Sequence, residues 1–208
     1  MTKSLDSLWR AARKLGRRGP RGKALPPLLF FTDPVRTPDP ERILGRLPRG
    51  AGVVYRAFGA PEAVATGRRL AALSRRRGLV FFVGASAALA VAVRADGLHL
   101  PQRLSGRTGD IRRLSRRFIV TAAAHDLPAA LRARRSGVTA LVVSPVFPSA
   151  SPSAGRPLGP RRFAALIRLA ATPAFALGGV DATTIKALSG TTAVGVAAVG
   201  GLVEQART

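Results

Sequence analysis

The chain has 208 residues, 47% of them hydrophobic, and carries a formal net charge of +24 from 34 basic and 10 acidic residues. That length and apolar content suit one domain around a single core, and the absence of cysteine excludes disulfides, thiolate metal sites and a cysteine nucleophile. No uncharged apolar run approaches the roughly 18 residues of a membrane span, and the basic start lacks the apolar stretch of a secretory signal, so a cytoplasmic protein without membrane association is expected.

Residues 1–24 stand apart as a basic arm, with Asp6 as their one acidic residue. Leu5, Leu8, Trp9 and Ala12 share one helical face, which predicts a short amphipathic helix over residues 4–15. Gly16, Gly19, Pro20 and Gly22 then break it. The arm reads as flexible, or as a contact with an anionic partner or with the underside of the domain that follows. An Arg-rich, acid-poor start also fits an organelle transit peptide, against which Asp6 argues.

From residue 25 a regular alternation begins. Strands are predicted at Leu28–Phe31, Val53–Arg56, Leu79–Val83, Gly97–Leu100, Phe118–Thr121, Ala140–Val143, Pro173–Leu177 and Ala193–Ala197. Helices are predicted at 39–47, Pro61–Arg77, Ser86–Arg94, 108–116, Pro128–Arg135 with Asp126 as its cap, Pro160–Ala170, Ala182–Leu188 and Leu202–Ala206. The strands are continuous apolar runs, as expected where helices cover a parallel sheet and both strand faces are buried. Eight repeats predict an α/β fold, a parallel (β/α)8 TIM barrel over residues 25–208. The rival, an open doubly wound sheet, lacks the glycine fingerprint after its first strand.

In such barrels the chemistry sits at the C-terminal ends of the strands. Gly178-Gly179 follows the seventh strand and Gly200-Gly201 the eighth, the two loops that commonly hold phosphate on backbone N–H groups. The loop after the sixth strand, from Ser144 to Gly159, is the longest and carries Ser149, Ser151, Ser153 and Arg156. His99 reads as a core or rim histidine. His125 follows the fifth strand at the mouth, where an imidazole can act as a general acid or base.

Only Lys3, Lys14, Lys23 and Lys186 are lysines, and the other basic residues are arginines in an Ala- and Gly-rich chain. GC-rich coding at surface positions accounts for this pattern. A surface this positive also attracts polyanions at low salt, but no basic stripe is interleaved with stacking rings. Nucleic acid is therefore expected only as a non-specific partner.

Leu29-Phe30-Phe31-Thr32-Asp33, Tyr55-Arg56, Ala95-Asp96-Gly97-Leu98-His99-Leu100-Pro101-Gln102, Ser144-Pro145-Val146-Phe147-Pro148-Ser149, Ala176-Leu177-Gly178-Gly179-Val180 and Gly195-Val196-Ala197-Ala198-Val199 occur in that order. Together they resemble the thiamine-phosphate synthase and thiazole tautomerase superfamily over residues 27–203. The resemblance implies a barrel of thiamine biosynthesis that couples a hydroxymethylpyrimidine diphosphate with a thiazole phosphate. It implies substrate-binding roles for Arg56, Gln102, Ser149, Ser151, Gly178, Gly179, Val199 and Gly200, with thiazole phosphate on the last two loops. A phosphate-bearing small molecule is the expected partner, and a homo-oligomer stays open.

The departures from the family pattern concentrate at the diphosphate end. Asn-Asp-Arg after the third strand is Gly84-Ala85-Ser86 here, so Ala85 replaces one magnesium aspartate and Leu104 replaces the other. Two lysines of the pattern are Phe58 and Pro152, and a serine is Ala123. Magnesium needs carboxylate oxygens, so no metal cofactor is expected. The charge of a departing pyrophosphate then falls to arginines, with Arg103, Arg107 and Arg156 as candidates by position. The tautomerase branch dispenses with metal and moves a proton with a histidine at the position of His125. Three readings thus stay open: a synthase with a degenerate metal site, a metal-independent tautomerase-like enzyme using His125, and a non-catalytic barrel that binds a phosphate ligand.

Overall fold

A computed structural model of the chain describes residues 3–15, 25–149, 151 and 155–199. Eight parallel strands close into a barrel in sequence order: β1 (Leu28–Phe31), β2 (Gly52–Tyr55), β3 (Val80–Gly84), β4 (Gly97–Leu100), β5 (Ile119–Ala124), β6 (Ala140–Val143), β7 (Ala174–Leu177) and β8 (Gly195–Val199). The ring shuts where β8 pairs with β1, Leu29 facing Ala197 and Phe31 facing Val199. The expected (β/α)8 barrel is therefore the architecture of the chain. The rival open sheet is overturned by the β1–β8 pairing.

The helices between strands are α2 (Pro40–Leu44), α3 (Ala63–Arg77), α4 (Ala87–Ala92), α5 (Thr108–Leu114), α6 (Leu127–Arg135) and α7 (Gly159–Ala170), after an N-terminal α1 (Lys3–Lys14). Asp126 caps α6, its side chain accepting the N–H of Ala129 at 2.7 Å. Ser86 caps α4 in the same way through Leu89. After β7 the expected helix is a 3₁₀ turn, Thr184–Leu188. β5 runs three residues further than its sequence pattern, because pairing with β4 and β6 on both sides overrides the weak strand preference of Ala122–Ala124. The helix expected at Leu202–Ala206 lies outside the described residues.

Why the strands read as unbroken apolar runs is visible in the two packed layers. Leu29, Phe31, Val54, Phe82, Val142, Phe175 and Ala197 fill the inside of the barrel. Their neighbours Leu28, Phe30, Val53, Phe81, Val83, Leu98, Val120 and Leu141 pack outward against the helices. Both faces are buried, so polar alternation has no place in these strands. The interior is a packed core, and bulk in one strand is matched by its absence in the next. A Cβ on Gly97 would fall 2.5 Å from Cδ1 of Phe82, so the phenyl ring occupies the space that glycine leaves.

α1 lies across the base of this barrel. Leu5, Leu8 and Ala12 are buried and join the outer core. The helix packs on β1, β8 and the Thr184–Leu188 turn, and Trp9 lies beside Gly50 on the approach to β2. The amphipathic face predicted from sequence is thus the face that docks on the barrel underside. No helix among the described residues is long and apolar enough to cross a membrane.

Candidate functional site

The C-terminal ends of the strands gather three groups of side chains. The first is ionic and lies over β1 and β2. Arg56, the residue after β2, donates from Nε to the carbonyl of Thr32 at 2.7 Å and from Nη2 to Asp33 Oδ2 at 2.9 Å. Its backbone N–H donates to the Thr32 hydroxyl at 3.0 Å. Its guanidinium also lies 5.9 Å from the Phe31 ring and 5.0 Å from the ring of Phe58, which is exposed. Asp33 Oδ1 accepts the N–H groups of Val35 and Arg36. Burial works against its charge, but these N–H groups, with Arg56 and Arg36 nearby, hold its carboxyl below the usual range. Arg36 in turn donates to the Ser151 hydroxyl at 3.2 Å, so the loops after β1 and β6 meet across the mouth. Asp33 stands in the first family-like segment without a site role given to it from sequence, and Arg36 was not picked out.

The second group surrounds His125, the residue after β5. Its Nδ1 lies 2.6 Å from the Ser144 carbonyl oxygen, an acceptor only, so Nδ1 carries a proton and donates. In the neutral ring this leaves Nε2 as the acceptor. The His125 backbone N–H donates to Gln102 Oε1 at 2.9 Å. Gln102 opens the 3₁₀ turn Gln102–Arg107 after β4, and this bond orients its amide so that the NH₂ remains a donor. His125 itself is exposed at the mouth.

The third group is built on backbone. Gly178 and Gly179 follow β7 with φ of 92° and 62°, a region that L side chains rarely adopt. The loop after β6 lies directly on them. Val146 and Phe147 donate their N–H groups to the carbonyls of Leu177 and Gly178 at 2.9 and 3.0 Å. A Cβ on Gly178 would stand 2.9 Å from Pro145, and one on Gly179 would collide with the Pro148 carbonyl oxygen. The Thr184 hydroxyl donates to the Gly179 carbonyl at 2.9 Å, and Asp181 accepts the N–H groups of Thr183 and Thr184. Val199 ends β8 beside this loop. Ser149 lies one residue beyond Pro148, and its hydroxyl accepts the N–H of Ser151 at 3.3 Å. Gly200, expected to complete the cradle, lies outside the described residues.

His99 lies beneath the mouth, inside the barrel. Its Nδ1 is 3.0 Å from the Thr121 hydroxyl and its ring meets Phe31 edge-on at 4.9 Å. Burial, helped by the nearby positive charge of Arg56, pushes its pKa down to about 3. It is a neutral core residue.

The two positions at which the family pattern places magnesium ligands do not suit the ion. Ala85 is exposed, and its N–H donates to the His99 carbonyl at 2.8 Å. Leu104 packs partly buried on the outer core. Neither side chain has an oxygen, and among the described residues no three His, Asp or Glu side chains gather as a metal set. Ala85 has φ 65°, so Ala85→Gly is expected to stabilise the fold by about 0.5–1 kcal/mol through relief of that conformation. Thermal melting should read this as an increase of about 2 °C.

A closed ring of eight parallel strands with helices outside it defines the class: a (β/α)8 barrel protein. Residues 32–202 match the family model described as thiamine monophosphate synthase, and the chain belongs to that family. It is 34% identical over 158 residues to the thiamine-phosphate synthase of Methylococcus capsulatus, covering 72% of this chain and 69% of that protein. It is 27% identical over 176 residues to that of Pyrococcus furiosus, covering 83% and 84%. The solved thiamine phosphate pyrophosphorylase of Pyrococcus furiosus superposes with a TM-score of 0.68 at 24% identity, covering 83% of this chain and 84% of that one, which shows the shared fold.

Proposed function

We propose that this barrel couples a hydroxymethylpyrimidine diphosphate with a thiazole phosphate, and that it does so without magnesium. The observation that carries the reading is the Gly178-Gly179 turn, held in left-handed conformations under the β6 loop beside the end of β8. Backbone N–H groups in such a turn suit a phosphate. In this reading Gly178, Gly179, Val199 and Gly200 hold the thiazole phosphate, helped by Ser149 and Ser151. Arg56 and Gln102 face the pyrimidine diphosphate. The methylene C–O bond breaks and pyrophosphate leaves with the electron pair. The thiazole nitrogen then supplies its own pair to form the new C–N bond. The Asp33–Arg56 pair fixes a cation near the leaving group, where developing negative charge benefits from preorganised donors.

One observation favours a second reading. His125 is anchored through Nδ1 with Nε2 as its acceptor, which is the arrangement a proton-transfer residue needs. A metal-independent thiazole tautomerase would use it in that way. The test incubates the protein with both substrates in magnesium buffer and in EDTA. Thiamine phosphate formed equally in both supports the coupling reading. Formation only with magnesium refutes its metal-free part. If no product forms while thiazole phosphate is isomerised, and His125→Ala slows that isomerisation roughly tenfold or more, the second reading replaces the first. If neither product appears but thiazole phosphate raises the melting temperature, the barrel is a phosphate binder only.

A further inference from the structure

Phe58 is an unexpected residue for its place at the mouth. It is 65% exposed and has a left-handed backbone, with φ of 49°. It lies in a tight turn over residues 57–60, closed by the Ala60 N–H donating to the Ala57 carbonyl at 2.9 Å, and Gly59 follows it at φ 79°. Two positive φ values in succession suit glycine, asparagine or aspartate. A phenylalanine there is strained, and with so much of it exposed, burial does little to offset the strain. Its ring does meet a partner: the Arg56 guanidinium carbon lies 5.0 Å from the ring centroid. We infer that Phe58 is a positioning residue whose ring holds the Arg56 guanidinium in place, still charged and partly dehydrated, for the diphosphate substrate. The inference rests on the coupling reading, in which Arg56 faces that substrate, and adds the residue that orients it.

The other contacts of Arg56 come from the barrel side. Nε donates to the Thr32 carbonyl and Nη2 to Asp33 Oδ2. Phe31, buried inside the barrel, lies 5.9 Å from the guanidinium. A Cβ on Gly84 would fall 3.2 Å from Arg56 Cγ, so the glycine at the end of β3 gives the stem its room. Two of the five guanidinium N–H groups are thereby used, and Nη1 has no acceptor among the described residues. Phe58 supplies the contact from the exposed turn after β2. The chemistry of a ring matters at that point. A second carboxylate would fix Arg56 as firmly but would cancel the charge that an oxyanion needs. A phenyl ring attracts the cation through its quadrupole, adds no charge and displaces water. Asp33 does not cancel that charge alone, because its carboxylate also accepts the N–H groups of Val35 and Arg36.

Two readouts test the clamp: exchange of the Arg56 Nε–H with water, followed by NMR without ligand, and steady-state rates of coupling. Phe58→Leu removes the ring and keeps an apolar side chain, whereas Phe58→Tyr keeps the ring face. The Nε–H signal, assigned by its loss in Arg56→Ala, should exchange about threefold faster or more in Phe58→Leu, and at the wild-type rate in Phe58→Tyr. In Phe58→Leu, kcat/KM for the pyrimidine diphosphate should fall about two- to fivefold, the effect of one exposed cation–π contact. KM for thiazole phosphate should not change, and Phe58→Tyr should match wild type in both. In an Arg56→Ala background Phe58→Leu should have no further effect, because it acts through Arg56. A loss of the same size in that background would mean that Phe58 acts on the substrate directly, and would overturn its positioning role. Equal exchange in Phe58→Leu and wild type would overturn the clamp whatever the rates. If wild type forms no thiamine phosphate while the difference in exchange holds, the coupling reading fails and the clamp on Arg56 stands.

Discussion

Gly179→Ala is expected to cost about 3 kcal/mol of stability and to remove the thermal shift given by thiazole phosphate. The cost has two sources. The left-handed φ of 62° penalises any L side chain, by about 1 kcal/mol or more. The new methyl would also collide with the Pro148 carbonyl oxygen and stand 2.8 Å from Cβ of Phe147. Those are atoms of the β6 loop close to its backbone, so relief requires the whole loop to lift, an overpacking cost of about 1–3 kcal/mol. Lifting it breaks the Phe147 N–H bond to the Gly178 carbonyl and carries Ser149 away with it. The melting temperature should fall by about 6–12 °C for a chain of this size. Gly190→Ala is the control, since nothing lies within 4 Å of its Cβ position and its φ is not in the left-handed region. Its melting temperature and ligand shift should stay near wild type. A Gly179→Ala variant that melts and binds like wild type would show that the loop after β7 tolerates a side chain and does not form a tight cradle.

This coupling of two loops marks where sequence reasoning reached and where it stopped. The barrel was legible because burial on both strand faces writes a local signature, an apolar run of about four residues closed by turn residues, repeated eight times. Leu28–Phe31 and Ala140–Val143 were bounded to the residue for that reason. The position of Gly178-Gly179 was legible too, since glycine at a strand end has few other causes. The side-chain connections at the mouth were not. Arg56 meets Asp33 across 23 residues of sequence, and Arg36 meets Ser151 across 115. The first contact depends on the register of β1 against β2 and the second on the closed ring that brings the loops after β1 and β6 to one mouth, and no local pattern encodes either. Ala85 illustrates the converse. Its identity was legible as a lost carboxylate, whereas its left-handed backbone belongs to the turn from β3 into α4.

Acidification should weaken the fold well before its carboxylates titrate, and His99 is the cause. In the unfolded chain its imidazole titrates near the ordinary value of 6.5, and in the barrel near 3. Between those values the unfolded state binds a proton that the folded state excludes. Stability is therefore full above pH 6.5 and declines as pH falls toward 3, with a limiting slope of about 1.4 kcal/mol per unit. Asp33 and Asp181 also have lowered pKa values, but their contributions are lost only below the ordinary carboxylate value of 3.8. The interval from pH 6.5 to 4.5 thus isolates histidine, and exposed His125 can be removed from it by working in a His125→Ala background. Denaturant unfolding across that interval should lose about 2–3 kcal/mol. His99→Gln retains a polar partner for the Thr121 hydroxyl and has no group that titrates there. It should start less stable at pH 7.5, because the amide does not reproduce the ring contact with Phe31, yet its stability should be nearly flat from pH 6.5 to 4.5. Equal slopes in the two proteins would mean that the ring is hydrated or protonated inside the barrel. The sealed interior beneath Arg56, on which the neutral state of His99 depends, would then be ruled out.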